Sequence, residues 1–129
     1  VAFQTVLVVG AGQMGAGIAQ VVAASGRRVL LHDTAPGAVD HGLGTMRRSL
    51  AKLAEKGGAD PDEVLGRVEP TDALAPADLM IEAIVEDAAA KKELFRVADA
   101  ALAPEAILAS NTSSIPITEL AAATSRPDR

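Results

Sequence analysis

The sequence predicts an α/β domain: a doubly wound, mainly parallel sheet with a long helical excursion after its second strand. Three observations carry that expectation. A β-branched run ends in glycine, a helical pattern follows, and a second apolar run ends in a carboxylate, all within the first 33 residues. Two short connections join these pieces, and a β-α-β unit of that kind implies a parallel sheet with a right-handed crossover. Two later apolar runs, 78–84 and 106–110, flank another helical stretch and continue the alternation.

The elements follow in order. Residues 4–9, QTVLVV, read as a buried strand closed by Gly10. From Gln13 to Ala24 the pattern is helical, with Met14, Ile18, Val21 and Val22 able to share an inner face. Ser25-Gly26 stops that helix. RVLLHD, 28–33, is the second strand. A long helix is expected over about 36–56, where Val39, Leu43, Met46, Leu50 and Leu53 make one stripe. GGADPDE, 57–63, reads as a loop, and GRVEPTD as a short third strand. DLMIEAI, 78–84, is the fourth strand. Residues 88–102 form a helix with Leu94, Val97 and Ala101 on its inner face, AILAS (106–110) is the fifth strand, and 116–124 is a helix with Pro in its first turn.

At 129 residues the chain is one domain. Hydrophobic residues make up 49 %, much of it alanine, and two phenylalanines are the only aromatics, so the core is aliphatic. The net charge of −5 does not suit a sequence-independent nucleic-acid binder. The lack of cysteine excludes a disulfide framework and a thiolate metal site, and suits a cytoplasmic setting; no metal is expected. No apolar run reaches membrane-spanning length, so no membrane partner is expected. The opening VAFQT lacks the pattern of a secretory signal.

Gly10, Gly12 and Gly15 stand as G-x-G-x-x-G between strand and helix. The first permits the tight turn, the second lets a pyrophosphate approach the backbone, and the third lets helix and sheet pack closely. The helix N-terminus then offers free N–H groups to phosphates. Asp33 ends the second strand 23 residues after Gly10 and can accept hydrogen bonds from an adenosine ribose. Its plainer reading is an N-cap for the next helix. A P-loop is excluded, because no Gly-Lys-Ser/Thr follows the glycines. The unit therefore reads as a Rossmann-type dinucleotide site, with Gly10, Ala11, Gly12, Gln13, Met14 and Gly15 forming the phosphate turn. Asp33 would repel a 2′-phosphate, and the following TAPGA supplies no cation to hold one, so NAD is favoured over NADP.

GAGQMGAGIAQ, DLMIEAIVED…K and ILASNTSSIPITELA, in that order, resemble the N-terminal domain of the L-3-hydroxyacyl-CoA dehydrogenase family. The resemblance covers essentially the whole chain and implies one NAD-binding domain over 1–129. It implies that Glu86 and Lys91 contact the nicotinamide half of NAD, where the plainer reading is a solvated pair at a helix start. SNTSS, 110–114, otherwise reads as turn and cap residues. By resemblance Asn111 lies near the nicotinamide ribose, and Ser113 near the substrate oxygen, where its hydroxyl can donate to a developing alkoxide. Ser49 and Lys56, seven residues apart on one side of the long helix, match the family's contacts to the CoA part of the substrate; a solvated basic face is the bland alternative.

The family's general base is a His polarised by a Glu, in an HFFNP-like segment that follows the stretch reading TSRPDR here. By resemblance this catalytic pair lies beyond Arg129. The only histidines, His32 and His41, do not match it. The family's helical C-terminal domain, which completes the acyl pocket and the homodimer, is also absent from this chain. The expectation is thus the NAD-binding domain of an enzyme that interconverts L-3-hydroxyacyl-CoA and 3-oxoacyl-CoA, inactive as this chain alone. Related dehydrogenases acting on an acyl-carrier thioester, a free hydroxy acid or a sugar acid are the alternatives, together with a non-catalytic NAD-binding module.

Overall fold

The structure, a computed structural model, describes residues 3–129. Strands β1 (Thr5–Val9), β2 (Arg28–His32), β3 (Val68–Pro70), β4 (Leu79–Glu82) and β5 (Ile107–Ser110) form one parallel sheet in the order β3-β2-β1-β4-β5. Helices α1 (Gln13–Ala24), α2 (Ala38–Glu55), α3 (Pro61–Leu65), α4 (Ala88–Ala101) and α5 (Ile117–Ala121) complete it. The strand order reverses between β1 and β4, and ligands of open α/β sheets bind at the carboxyl edge of such a switch point.

Successive side chains of β1 serve opposite faces. Val6 and Val8 pack with Val29, Leu31, Met46 and Leu50 on one side, and Leu7 and Val9 pack with Leu30, Met80 and Phe95 on the other. Each such side chain, fully buried, contributes about 1.5–3 kcal/mol. Burial on both faces is why β1 reads as a nearly continuous apolar run.

The inner face of α1 differs from the one expected. Its buried residues are Gly15, Ala16, Ala19 and Ala23, whereas Met14 is 57 % and Val21 71 % exposed. Ile18 and Val22 pack at the margin of the core. Close approach is the reason: a Cβ on Gly15 would lie 1.7 Å from the Gly10 carbonyl oxygen. A helix held that near the sheet can place only small residues against it.

The stripe on α2 holds at Val39, Leu43, Met46 and Leu50, and runs off the packed surface at the exposed Leu53. Gly42 lets this helix cross the β1–α1 turn, since a Cβ there would meet the Ala11 carbonyl oxygen at 2.8 Å. The expected 57–63 loop contains the start of α3. Asp60 caps it by accepting from the Asp62 N–H, Pro61 begins it, and Val64 is buried beneath it.

On α4 the expected inner face is one residue out of phase. Lys91, Phe95, Ala98 and the following Leu102 are buried, while Val97 and Ala101 are exposed and Leu94 is half-buried. The charge on Lys91 hid the true stripe. At the far end of α4, the buried Arg126 donates to the carbonyls of Asp99, Leu102, Ala103 and Ala106 and pairs with the Asp99 carboxylate. It thereby closes the helix and docks residues 125–129. The Ser125 N–H and the Arg126 guanidinium hold the Asp99 carboxyl below the usual carboxylate range.

Candidate cofactor and substrate site

All five strands point their carboxyl ends to one edge of the sheet, and four of the loops there carry the candidate residues. After β1 the chain turns at Gly10 with φ +107°, and a Cβ at that position would lie 2.5 Å from the Ala83 carbonyl oxygen. The turn is tied to β2: the Gly10 N–H donates to the His32 carbonyl and the Ala11 N–H to Asp33 Oδ2, each at 2.8 Å. Gly12 is the N-cap of α1 with no side-chain cap, and none of the described residues comes within 4 Å of a Cβ built on it. The first N–H groups of α1 have no partner within the helix and carry partial positive charge. Open space over uncapped donors fits the pyrophosphate of a dinucleotide.

Asp33 is not the N-cap of the next helix. That position is Gly37, in the left-handed region at φ +76°. Instead Asp33 accepts from the Ala11 N–H through Oδ2 and from the Ala35 N–H through Oδ1, the latter at 2.8 Å. Each carboxylate oxygen has a second lone pair for a ribose hydroxyl. Beside Asp33 lies a cleft of about 410 Å³, walled largely by apolar groups of Val9, Leu74, Ile84, Leu94 and Val97. An aromatic base suits it.

The second cluster sits on the ends of β4 and β5. Lys91, 2 % exposed, reaches from α4 to two carboxylates, Glu82 at 3.0 Å and Glu86 at 2.8 Å. Burial alone would pull the Lys91 pKa down, but its hydrogen bonds to Glu86 and Glu82 outweigh that and leave it raised. Glu86 accepts in turn from the hydroxyls of Thr112 and Ser114 at 3.0 Å and from the Ser113 N–H at 3.1 Å. The Lys91 ammonium, followed by the Ser113 N–H, lowers the Glu86 pKa to about 2. Glu86 and Lys91 are therefore not a solvated pair, since the lysine is buried and the glutamate clasps the β5–α5 loop.

Glu82 escaped the sequence reading. It is wholly buried and accepts from the Ser110 hydroxyl, the Ile84 N–H and Lys91. The one signal for it was a carboxylate inside an otherwise apolar strand. Asn111 and Ser113 are exposed at the same edge. Ser49 and Lys56 do not join this cluster. The Ser49 hydroxyl accepts from Gln20 Nε2 at 3.0 Å, between α1 and α2. It lies eleven residues into α2, roughly 16 Å along the axis from its start. Lys56 is the exposed C-cap of that helix. His32 is buried with Nδ1 3.0 Å from the Thr71 carbonyl oxygen, and His41 is exposed on α2; among the described residues neither side chain hydrogen-bonds to the cluster.

Arg129 does not join these residues. Its carbonyl accepts from the Leu108 N–H at 2.7 Å, and its guanidinium donates to the Glu105 carbonyl at 2.8 Å. Those partners lie at the amino-terminal end of β5, whereas the candidate residues gather at the carboxyl end. Arg129 therefore anchors the chain beside the sheet, and its charge does not reach Ser113 or Glu86 through any hydrogen bond or ion pair among the described residues.

A family described as "3-hydroxyacyl-CoA dehydrogenase, NAD binding domain" matches residues 5–129. The chain belongs to this family. NAD is the dinucleotide of an NAD-binding domain of this family. A probable 3-hydroxybutyryl-CoA dehydrogenase of Deinococcus radiodurans is 52 % identical over 93 % of the chain, which covers 45 % of that relative. The crystal structure of Mycobacterium tuberculosis FadB2 superposes with a TM-score of 0.94 at 43 % identity, covering all of this chain and 48 % of that one. The (S)-3-hydroxybutyryl-CoA dehydrogenase of Ralstonia eutropha superposes with a TM-score of 0.92 at 39 % identity, over 98 % of this chain and 47 % of that one. The chain thus spans about half the length of these three proteins. Among the described residues no helix is long and apolar enough to cross a membrane.

Proposed function

We propose that this domain is the cofactor half of an oxidoreductase that interconverts L-3-hydroxyacyl-CoA and 3-oxoacyl-CoA. One observation carries the reading. Glu86 holds Ser113 by its backbone N–H, which leaves the serine hydroxyl without a partner among the described residues, at the edge that also carries the glycine turn. NAD, when bound, supplies the acceptor or donor of hydride. The residues of this chain bind and orient. The α1 N-terminus faces the pyrophosphate, Asp33 takes the adenosine ribose, and Asn111, Glu86 and Lys91 flank the nicotinamide half. Ser113 Oγ donates to the oxygen of the reacting carbon, whose negative charge grows in the transition state. Ser49 and Lys56 would meet the CoA moiety, the lysine as a point charge for phosphate; their place on α2 makes an extended substrate run along that helix.

In this reading neither histidine takes the hydroxyl proton: His32 Nδ1 lies against the Thr71 carbonyl oxygen, and His41 is exposed on α2. In this reading the base, the second wall of the acyl pocket and the dimer contacts belong to a helical domain beyond this one. The test uses NADH absorbance with a short 3-oxoacyl-CoA. Residues 1–129 bind NADH but turn over nothing measurable, because general acid–base catalysis contributes about 10²–10⁴-fold and positioning more. A longer polypeptide with the helical domain is active, and Ser113→Ala in it lowers kcat more than it raises KM. Robust turnover by residues 1–129 would place the catalytic groups elsewhere.

A further inference from the structure

Glu82 has no role in the contacts assigned above, yet its carboxylate lies wholly inside the protein. Burying a charge pair is costly, and a well-packed apolar residue would avoid that cost. What Glu82 provides is orientation. It sits on β4 directly opposite Ser110 of β5 in the register of the sheet. Its side chain accepts from the Ser110 hydroxyl and from Lys91, and its backbone carbonyl accepts from the Asn111 N–H at 2.9 Å. Glu86, by contrast, stands on a loop with its side chain 40 % exposed.

The bonds therefore form a chain with one rigid end. Glu82 fixes Lys91, Lys91 fixes Glu86, and Glu86 holds Thr112, Ser113 and Ser114. A lysine tethered only to a loop carboxylate keeps most of the rotamer freedom of its long side chain. We propose that Glu82 is the positioning residue of the nicotinamide end, holding Lys91 and the 110–114 loop in the arrangement that receives the cofactor. This rests on the reading that the nicotinamide half of NAD lies along this edge.

The test compares two ligands by calorimetry on the 129-residue chain: NADH, and ADP-ribose, which lacks nicotinamide. Glu82→Gln weakens NADH about tenfold or more, the loss expected for a charge-assisted hydrogen bond, and leaves ADP-ribose within about twofold. In ¹⁵N NMR the Ser113 amide loses hydrogen-exchange protection in the variant. Equal NADH affinity in variant and wild type overturns the role of Glu82 alone, as does equal weakening of both ligands, which marks a general structural defect. Wild-type protein that binds ADP-ribose and NADH equally well rejects the nicotinamide reading on which the proposal rests. If Glu82→Gln does not fold, Glu82→Asp retains the charge one methylene back, and the same contrast between the two ligands decides.

Discussion

The carboxylate of Asp33 accepts a hydrogen bond from the backbone N–H of Ala11, with Oδ2 2.8 Å from the nitrogen. The acid that would hold the ribose thus also braces the turn that would hold the phosphates. The two proposed contacts to the dinucleotide are in this way mechanically joined within the protein itself.

Asp33→Ala therefore weakens NADH by about 1–3 kcal/mol, since charge-assisted bonds to the ribose and the brace on the turn are lost together. The same substitution does not create good NADPH binding, although it removes the repulsion of a 2′-phosphate. Calorimetry with both nucleotides measures this, and the chain's lack of Trp and Tyr makes protein fluorescence a poor substitute. Tight NADPH binding by the variant would show that the brace is dispensable.

Two glycines of the same motif respond in opposite ways. Gly12→Val leaves thermal stability nearly unchanged, because a Cβ there meets nothing within 4 Å, but it fills the pyrophosphate space and abolishes NADH binding. Gly15→Ala destabilises the fold by about 1–3 kcal/mol or more, because its Cβ would lie 1.7 Å from the Gly10 carbonyl oxygen and α1 must move off the sheet. Thermal melts and nucleotide titrations on the pair separate the two effects. Normal NAD binding by Gly12→Val would move the phosphate site elsewhere.

The clasp on the β5–α5 loop is pH-dependent in a defined direction. Glu86 is lowered from 4.5 to about 2, chiefly by Lys91 and then by the Ser113 N–H. A group held lower in the folded state adds stability above its unfolded value and loses that contribution as pH falls through the folded value. The loss therefore falls between pH 4.5 and about 2. Lys91, raised above 10.5, behaves in the opposite sense and loses its contribution only as pH rises past that value. In thermal melts the gap between wild type and Glu86→Gln is widest near neutrality and narrows across the acid window. Parallel curves from neutral pH to about 2 would mean that Glu86 is not held by these partners in solution.

The sequence by itself determined the parallel sheet, the edge at which the candidate residues gather, and the order of every element except the short α3. Those follow from short-range signals: β-branched runs buried on both faces, a glycine turn that opens a helix, and a carboxylate that ends the second strand. Even the place of the SNTSS run, at the end of the fifth strand on that same edge, was legible. Only the tertiary structure decided which faces are buried and which charges are inside. On α1 the apolar Met14 and Val21 face outward because Gly15 brings the helix too near the sheet for large side chains. On α4 Lys91 turns inward because Glu82 and Glu86, from a strand and a loop, converge to neutralise it. Such pairing is set by three-dimensional distance rather than by spacing along the chain. Asp33, likewise, proved to be the brace of the glycine turn rather than a helix cap, a contact spanning 22 residues that becomes visible only once β1 and β2 lie side by side.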